Sequence, residues 1–183
     1  MVDNQDQALV RQCLDGHTRA FEALVDRYQK PLFNVALRML DDAQDAEDIT
    51  QTVFIKAFEK LATYDDRYKF FSWIYKMTVN EALNFTKRQR RFEALDVQMM
   101  AYGETPDERL ASHELSDRIG TALLGLKPED RAIVILKHFE GFSYKDIGYI
   151  LEVSEKTVKS RLYTARQRLK DILVKQGFVQ NNG

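Results

Sequence analysis

The stretch FSYKDIGYILEVSEKTVKSRLYTARQRL, residues 142–169, decides the fold of the second half of this chain. Ile147, Ile150 and Leu151 recur at the spacing of one helical face, Glu152 and Val153 interrupt it, and Ser154 stands where a hydroxyl can cap a following helix. Beyond the break, Val158, Leu162, Ala165 and Leu169 continue an apolar stripe at steps of four, three and four. A short helix, a tight turn and a longer helix make the helix-turn-helix pattern. The face opposite Val158 and Leu162 presents Lys156, Lys159, Ser160, Tyr163, Gln167 and Lys170, with Arg166 at its edge. Lys and Arg neutralise phosphates, and donors near the N-terminus of such a helix reach base edges once it lies in a major groove. Basic helix faces are often only solvated surface, but the capped turn and the inward aliphatics that precede this one favour nucleic-acid recognition.

Outward from that stretch, helical periodicity continues in both directions. A helix from about 107 to 124 and another opening at Pro128, a residue suited to a first helical turn, complete the C-terminal half. Upstream, residues 93–106 (EALDVQMMAYGETP) lose the periodicity and carry three acids, a Gly and a Pro but no basic residue, which reads as a linker. Fully extended, it spans roughly 45 Å. Before it, a helix over about 69–91 is rich in aromatics at its start (Phe70, Phe71, Trp73, Tyr75) and basic at its end (Lys87, Arg88, Arg90, Arg91). Four aromatics within six positions point all round a helix, so one or two of them are expected at the surface, where they suit stacking on unpaired bases.

Nearer the N-terminus, a short first helix is followed by Phe21, Leu24, Val25, Tyr28, Leu32, Val35, Ala36 and Met39, which trace one long amphipathic face with Pro31 inside it as an expected kink. After the turn at Asp41 and Asp42, Ala46, Ile49, Val53, Ala57 and Leu61 point inward. Gln44, Glu47, Asp48, Gln51 and Ile55 share the other side, an acidic and amide surface with one aliphatic residue set in it. With eight Gly, three Pro and almost no strand-like alternation, the fold class is all-α: two small helical domains, 1–92 and 107–183, joined by a flexible linker over 93–106.

The totals exclude several classes. In 183 residues, 27 Lys and Arg against 28 Asp and Glu give a net charge of −1, so any polyanion is met by a patch and not by the whole molecule. One such patch lies between 156 and 170, where six basic residues occur with no acid. Cys13 is the sole cysteine, which excludes an intrachain disulfide, and His17, His113 and His138 lack ligand spacing. No nucleophile and base pairing, phosphate-cradling Gly loop, cofactor motif or metal constellation stands out, so a non-enzymatic, cytoplasmic protein without membrane insertion is expected. On the residues alone, two readings remain beside each other. One is a helix-turn-helix regulator with an N-terminal sensing or dimerisation domain, and the other is an RNA-binding adaptor using the aromatic helix.

The string LKPEDRAIVILKHFEGFSYKDIGYILEVSEKTVKSRLYTARQRL (126–169) resembles region 4 of sigma-70-type RNA polymerase sigma factors. DDAQDAEDITQTVFIKAFEKL (41–61) resembles region 2.2, and FFSWIYKMTVNEALNFTKRQRR (70–91) resembles regions 2.3 and 2.4, in the family's order. Two domains with little between them resemble the extracytoplasmic-function (ECF) group.

The resemblance implies a subunit that binds core polymerase, reads minus-35 duplex DNA and captures the melted minus-10 strand. It places Asp45, Glu47, Asp48, Gln51 and Ile55 where the family docks on the β′ clamp helices. Tyr64, Arg67, Lys69, Phe70, Phe71, Trp73, Tyr75, Lys76, Asn80, Asn84, Lys87, Arg88, Arg90 and Arg91 fall where it holds the minus-10 strand with a flipped base. Ser154, Lys156, Thr157, Lys159, Ser160, Arg161, Tyr163, Arg166, Gln167 and Lys170 fall where it reads the minus-35 element. The β flap of polymerase, promoter DNA and a cognate anti-sigma factor are the further partners it implies. This chain departs from the pattern at Tyr64-Asp65-Asp66-Arg67-Tyr68, where relatives often carry small residues, at Glu152, where many have Gly, and at Lys156.

Overall fold

A computed structural model describes residues 2–96 and 114–177. Among these residues all regular structure is helical: α1 (Val2–Leu14), α2 (Arg19–Leu40), α3 (Ala43–Glu59), α4 (Phe70–Asp96), α5 (Glu114–Leu124), α6 (Pro128–His138), α7 (Tyr144–Leu151) and α8 (Glu155–Lys175), with a short 3-10 turn at Leu61–Thr63. Helix α4 continues through 93–96, the first positions of the stretch read as a linker. Residues 97–106 of that stretch, and the expected helical positions 107–113, lie outside the described residues.

The N-terminal bundle forms around the predicted stripe of α2. Leu24, Leu32, Val35, Ala36 and Met39 are fully buried, and Ala46, Val53 and Ala57 of α3 and Ile74 and Val79 of α4 close over them. The helix runs unbroken past Pro31 to Asp41, which takes the left-handed conformation at φ 61° and donates its N–H to the Leu37 carbonyl. Asp42 then caps α3, accepting from the Asp45 N–H at 2.8 Å. Helix α1 is tied on by a buried acid: Asp6 pairs with Arg27 and accepts from the Tyr28 hydroxyl at 2.5 Å. Burial, reinforced by this carboxylate, pushes the Tyr28 phenol far above its ordinary value.

In the C-terminal half, α6 is the central element, with Ala132, Ile133, Ile135 and Leu136 fully buried and Pro128 in its first turn. The helix-turn-helix forms as the pattern requires. Ser143 caps α7 by accepting from the Asp146 N–H at 3.1 Å, and Ser154 caps α8 by accepting from the Thr157 N–H at 3.1 Å. A cap of this kind contributes about 1 kcal/mol. The turn between them passes through Glu152 at φ 55°, a conformation that costs a residue with a Cβ about 1 kcal/mol or more. Ile147, Ile150, Val158, Leu162 and Ala165 are buried, and Leu151 and Leu169 are partly so.

The two halves pack on each other, α7 and α6 against α4 and α2, so that one hydrophobic core is continuous through both. Arg131 of α6 is buried and donates to the carbonyls of Leu123 and Leu124 at 2.9 Å and to that of Met39, at the end of α2. Arg38 lies over the Phe139 ring, 4.5 Å from its centroid.

Two expectations follow. A Cβ at buried Gly148 would stand 2.7 Å from the Val153 carbonyl oxygen, which is backbone inside the turn, whereas one at Gly125 would meet the movable end of Ile172. Gly148→Ala is therefore expected to cost about 1–3 kcal/mol and Gly125→Ala less, as read by thermal unfolding of both variants. The second concerns acid. Arg166 Nε donates to His138 Nε2 at 3.1 Å, which requires a neutral imidazole. Burial, then the charges of Arg166 and Lys137, hold the His138 pKa below its ordinary value. The contribution is thus intact above the unfolded pKa and lost as pH falls through the folded one, and melts between about pH 7.5 and about pH 5.5 should decline less in His138→Asn.

Candidate nucleic-acid and protein interfaces

Helix α8 turns its predicted face to solvent. Lys156, Lys159, Ser160, Arg161, Arg166, Gln167 and Lys170 are exposed, as is Ser154 at its start, and Tyr163 stands 67% exposed. Thr157 is half-buried, its hydroxyl 2.8 Å from Ser154 Oγ, so it serves the cap more than the surface. Lys159 reaches back over the Tyr144 ring, 5.4 Å from its centroid, and Arg168 pairs with Asp130 at 3.3 Å. The result is a rigid helix with cations and hydroxyls outward and no carboxylate among the residues that project from it between 156 and 170, which is what a phosphate-lined groove requires.

On α3, Gln44, Glu47, Asp48 and Gln51 are exposed and Asp45 is half-buried. The amides are held by neighbours one turn away: Gln51 Nε2 donates to Glu47 Oε1 at 3.3 Å and Gln44 Nε2 to Asp48 Oδ1 at 3.5 Å. Burial, with Asp42 and Asp48 nearby, raises the Asp45 pKa. Ile55 is 61% exposed at the rim of a cavity of about 690 Å³ between α3 and α2, floored by Val25, Phe33 and Phe54. The α2 side of this groove was missed in the sequence, where Val25 reads as core and Phe33 falls outside the stripe. An acidic edge beside an open apolar groove suits a protein partner with basic and apolar side chains.

The α4 surface differs from expectation. Phe70, Trp73 and Tyr75 are buried and Phe71 is half-buried, so none of the four aromatics stands free. Phe70 packs with Tyr28, Tyr64 and Trp73 at centroid distances of 5.6 Å, filling the gap between α2, α4 and the loop before α4. The outward rings are covered by the other half of the molecule: Phe142 lies 5.1 Å from Phe71 and 4.7 Å from Tyr75, whose hydroxyl donates to Glu140 Oε2 at 2.9 Å. Periodicity could not foresee a cover supplied from a distant segment.

Beside the start of α4 an exposed aromatic is instead Tyr68 in the preceding loop, at 44%. That loop is braced. Tyr64, half-buried, donates from its hydroxyl to the Tyr68 carbonyl at 2.5 Å, Gln7 of α1 donates to the Asp66 carbonyl at 3.0 Å, and Arg67 forms a fork with Asp65 at 2.6–3.0 Å. The Arg67 hydrogen bonds hold the Asp65 carboxyl below its ordinary pKa. Beside Tyr68, a cavity of about 320 Å³ is lined by Trp73, Lys76 and Asn80 among others, with Tyr149 of α7 at its edge. Lys69 lies over the Phe71 ring at 5.2 Å, while Asn84, Lys87, Arg88, Arg90 and Arg91 continue along α4 as an exposed, mostly basic row. Among the described residues no cluster of metal-ligating side chains occurs, and no helix is long and apolar enough to cross a membrane.

Comparison with known proteins bears on all three surfaces. Residues 24–92 match the family model described as Sigma-70 region 2, and residues 116–169 match Sigma-70, region 4. The RNA polymerase sigma-H factor of Pseudomonas aeruginosa is 30% identical over 181 residues, covering 92% of this chain and 94% of that protein. The ECF RNA polymerase sigma factor SigW of Bacillus subtilis is 30% identical over 173 residues, covering 88% and 92%. Among solved structures, CnrH in complex with the cytosolic domain of CnrY superposes with a TM-score of 0.73 at 25% identity, over 93% of this chain and 98% of that one. The sigma factor RpoE in complex with the anti-sigma factor NepR, from Bartonella quintana, gives 0.69 at 27%, over 84% and 96%. With both family models matching in order along the helices that carry these surfaces, the chain belongs to the sigma-70 family of RNA polymerase sigma factors, in its extracytoplasmic-function subfamily.

Proposed function

We propose that this sigma factor divides promoter recognition among three helices: α3 docks on core RNA polymerase, the loop before α4 together with α4 holds the melted minus-10 strand, and α8 reads minus-35 duplex DNA. The observation that carries this reading is the α3 surface. A helix-turn-helix regulator would need α8, but it would have no use for Glu47, Asp48 and Gln51 held in register beside the exposed Ile55 and an open apolar groove. Basic residues of the β′ clamp helices are the partner with matching charge, and the β flap is the partner proposed for the C-terminal domain.

Within α8, Lys156, Lys159, Arg161, Arg166 and Lys170 supply phosphate contacts, while Ser160, Tyr163 and Gln167 offer donors and acceptors to base edges. Capture of the minus-10 strand assigns base stacking to the Tyr64, Tyr68 and Trp73 neighbourhood and backbone contacts to Lys76 and the basic row that ends at Arg91. For Phe71 to meet a base, the segment carrying Phe142 must move off α4, and Trp73, packed on Tyr64 and Phe70, is reached through the cavity edged by Tyr149. A cognate anti-sigma factor is proposed as a further partner, in keeping with the RpoE and NepR complex. The action is binding and strand capture without covalent chemistry, and it takes place in the cytoplasm, where the promoters are.

Transcription by purified bacterial core polymerase on a pool of promoter fragments tests the assignment. Initiation should require the protein and should fall about tenfold or more in Asp48→Arg and Gln51→Arg, whose exposed positions leave thermal stability unchanged. Tight duplex binding without any initiation would transfer the chain to the regulator reading. For α8, replacing Lys159 or Arg161 by Ala should weaken holoenzyme binding to minus-35 duplex and flatten the slope of log affinity against log salt by about 1 per cation.

A further inference from the structure

The place where α7 meets the minus-10 surface has a specific chemistry. Tyr149 lies flat on Tyr68, with ring centroids 4.3 Å apart and planes inclined by 21°. The Lys76 ammonium stands 5.1 Å from the centroid of the same Tyr149 ring. That ammonium also pairs with Glu152 Oε1 at 2.7 Å. An aromatic ring stacked on an exposed tyrosine and a negative oxygen on a neighbouring lysine are the two features of an unpaired nucleotide, base and phosphate.

We propose that the C-terminal edge of α7 is an intramolecular stand-in for a nucleotide: Tyr149 occupies the place of a base on Tyr68, and Glu152 occupies the place of a phosphate on Lys76. The stacked face of Tyr68 and the Lys76 ammonium serve one occupant at a time, so single-stranded DNA and the helix-turn-helix domain exclude each other. The protein thereby masks its own strand-capture surface until α7 lifts.

Position 152 supports this role independently. The backbone there has φ 55°, where Gly is the residue without strain, and within the turn nothing requires a carboxylate. The Glu152 side chain is 69% exposed and turns across to α4 to meet its cation. Phe142 against Phe71 and Tyr75, and Ser72 Oγ at 3.5 Å from Asp146, extend the same contact along α4. The inference rests on the reading of α4 as a single-strand surface, so its test has to separate the two.

The experiment uses the full chain, a fluorescein-labelled oligothymidylate read by anisotropy, and acrylamide quenching of Trp73, the sole tryptophan. Glu152→Gly removes the carboxylate while relaxing the backbone, Tyr149→Ala removes the ring, and Tyr149→Phe preserves stacking. Each of the first two is expected to raise single-strand affinity about threefold and the pair about tenfold, with Trp73 more readily quenched, because masking divides affinity by the open fraction. Tyr149→Phe should bind as the wild type does, and Lys76→Glu in the doubly substituted protein should abolish the gain. Equal affinity of wild type and double variant, both lost on Lys76→Glu, would overturn the mask and leave the strand-capture surface standing. Absence of single-strand binding in every form would overturn that surface and the mask with it.

Discussion

The buried guanidinium of Arg131 ties the two halves of this molecule together within the apolar core that they share. Arg131 is 4% exposed, and its N–H groups satisfy carbonyls at the end of α5 and, through Met39, at the end of α2. The last carbonyls of a helix have no partner of their own, and burying them unsatisfied costs about 1–3 kcal/mol each. A buried cation is stabilised where several carbonyl dipoles converge on it, as at two helix C-termini. The same side chain therefore meets both requirements, and it does so only when α6 lies against α2. That docking carries α7 onto α4, and with it the contacts of Phe142, Tyr149 and Glu152.

A consequence is the separation of charge over the surface. The net charge is −1, yet the acids of α3 and the cations of α8 lie on opposite-signed faces of different helices. Like charges within each face repel weakly because both are solvated. Faces of opposite sign on one molecule attract partners of opposite charge to different parts of it. Helix α4 has an aromatic start that is apolar enough to enter the core and a basic end that stays in water. In the closed arrangement the apolar part is used for packing and only the basic part is open.

Much of this was legible in the residues. The stripes of α2, α3 and α8, the cap at Ser154 and the turns at Asp41-Asp42 and Glu152 are set by interactions within a few positions, through 3.6-residue periodicity and side-chain hydrogen bonds to adjacent N–H groups. The exposed acidic and basic faces follow from the same geometry, since what is opposite a buried stripe is outside. The aromatic start of α4 is where local reasoning failed. Its rings do point all round the helix, but Phe142 and Tyr64 cover them from elsewhere in the chain.

By itself, then, the sequence determined the helices, their buried sides, the helix-turn-helix and the chemical character of each exposed face, because these depend on neighbours one or two turns away. The tertiary structure decided which surfaces remain open. Lys76 and Glu152 are 76 positions apart and Arg131 and the Met39 carbonyl 92 apart, and no periodicity relates such residues. Their meeting depends on how two apolar surfaces fit together, a property of shape in three dimensions that local spacing does not contain.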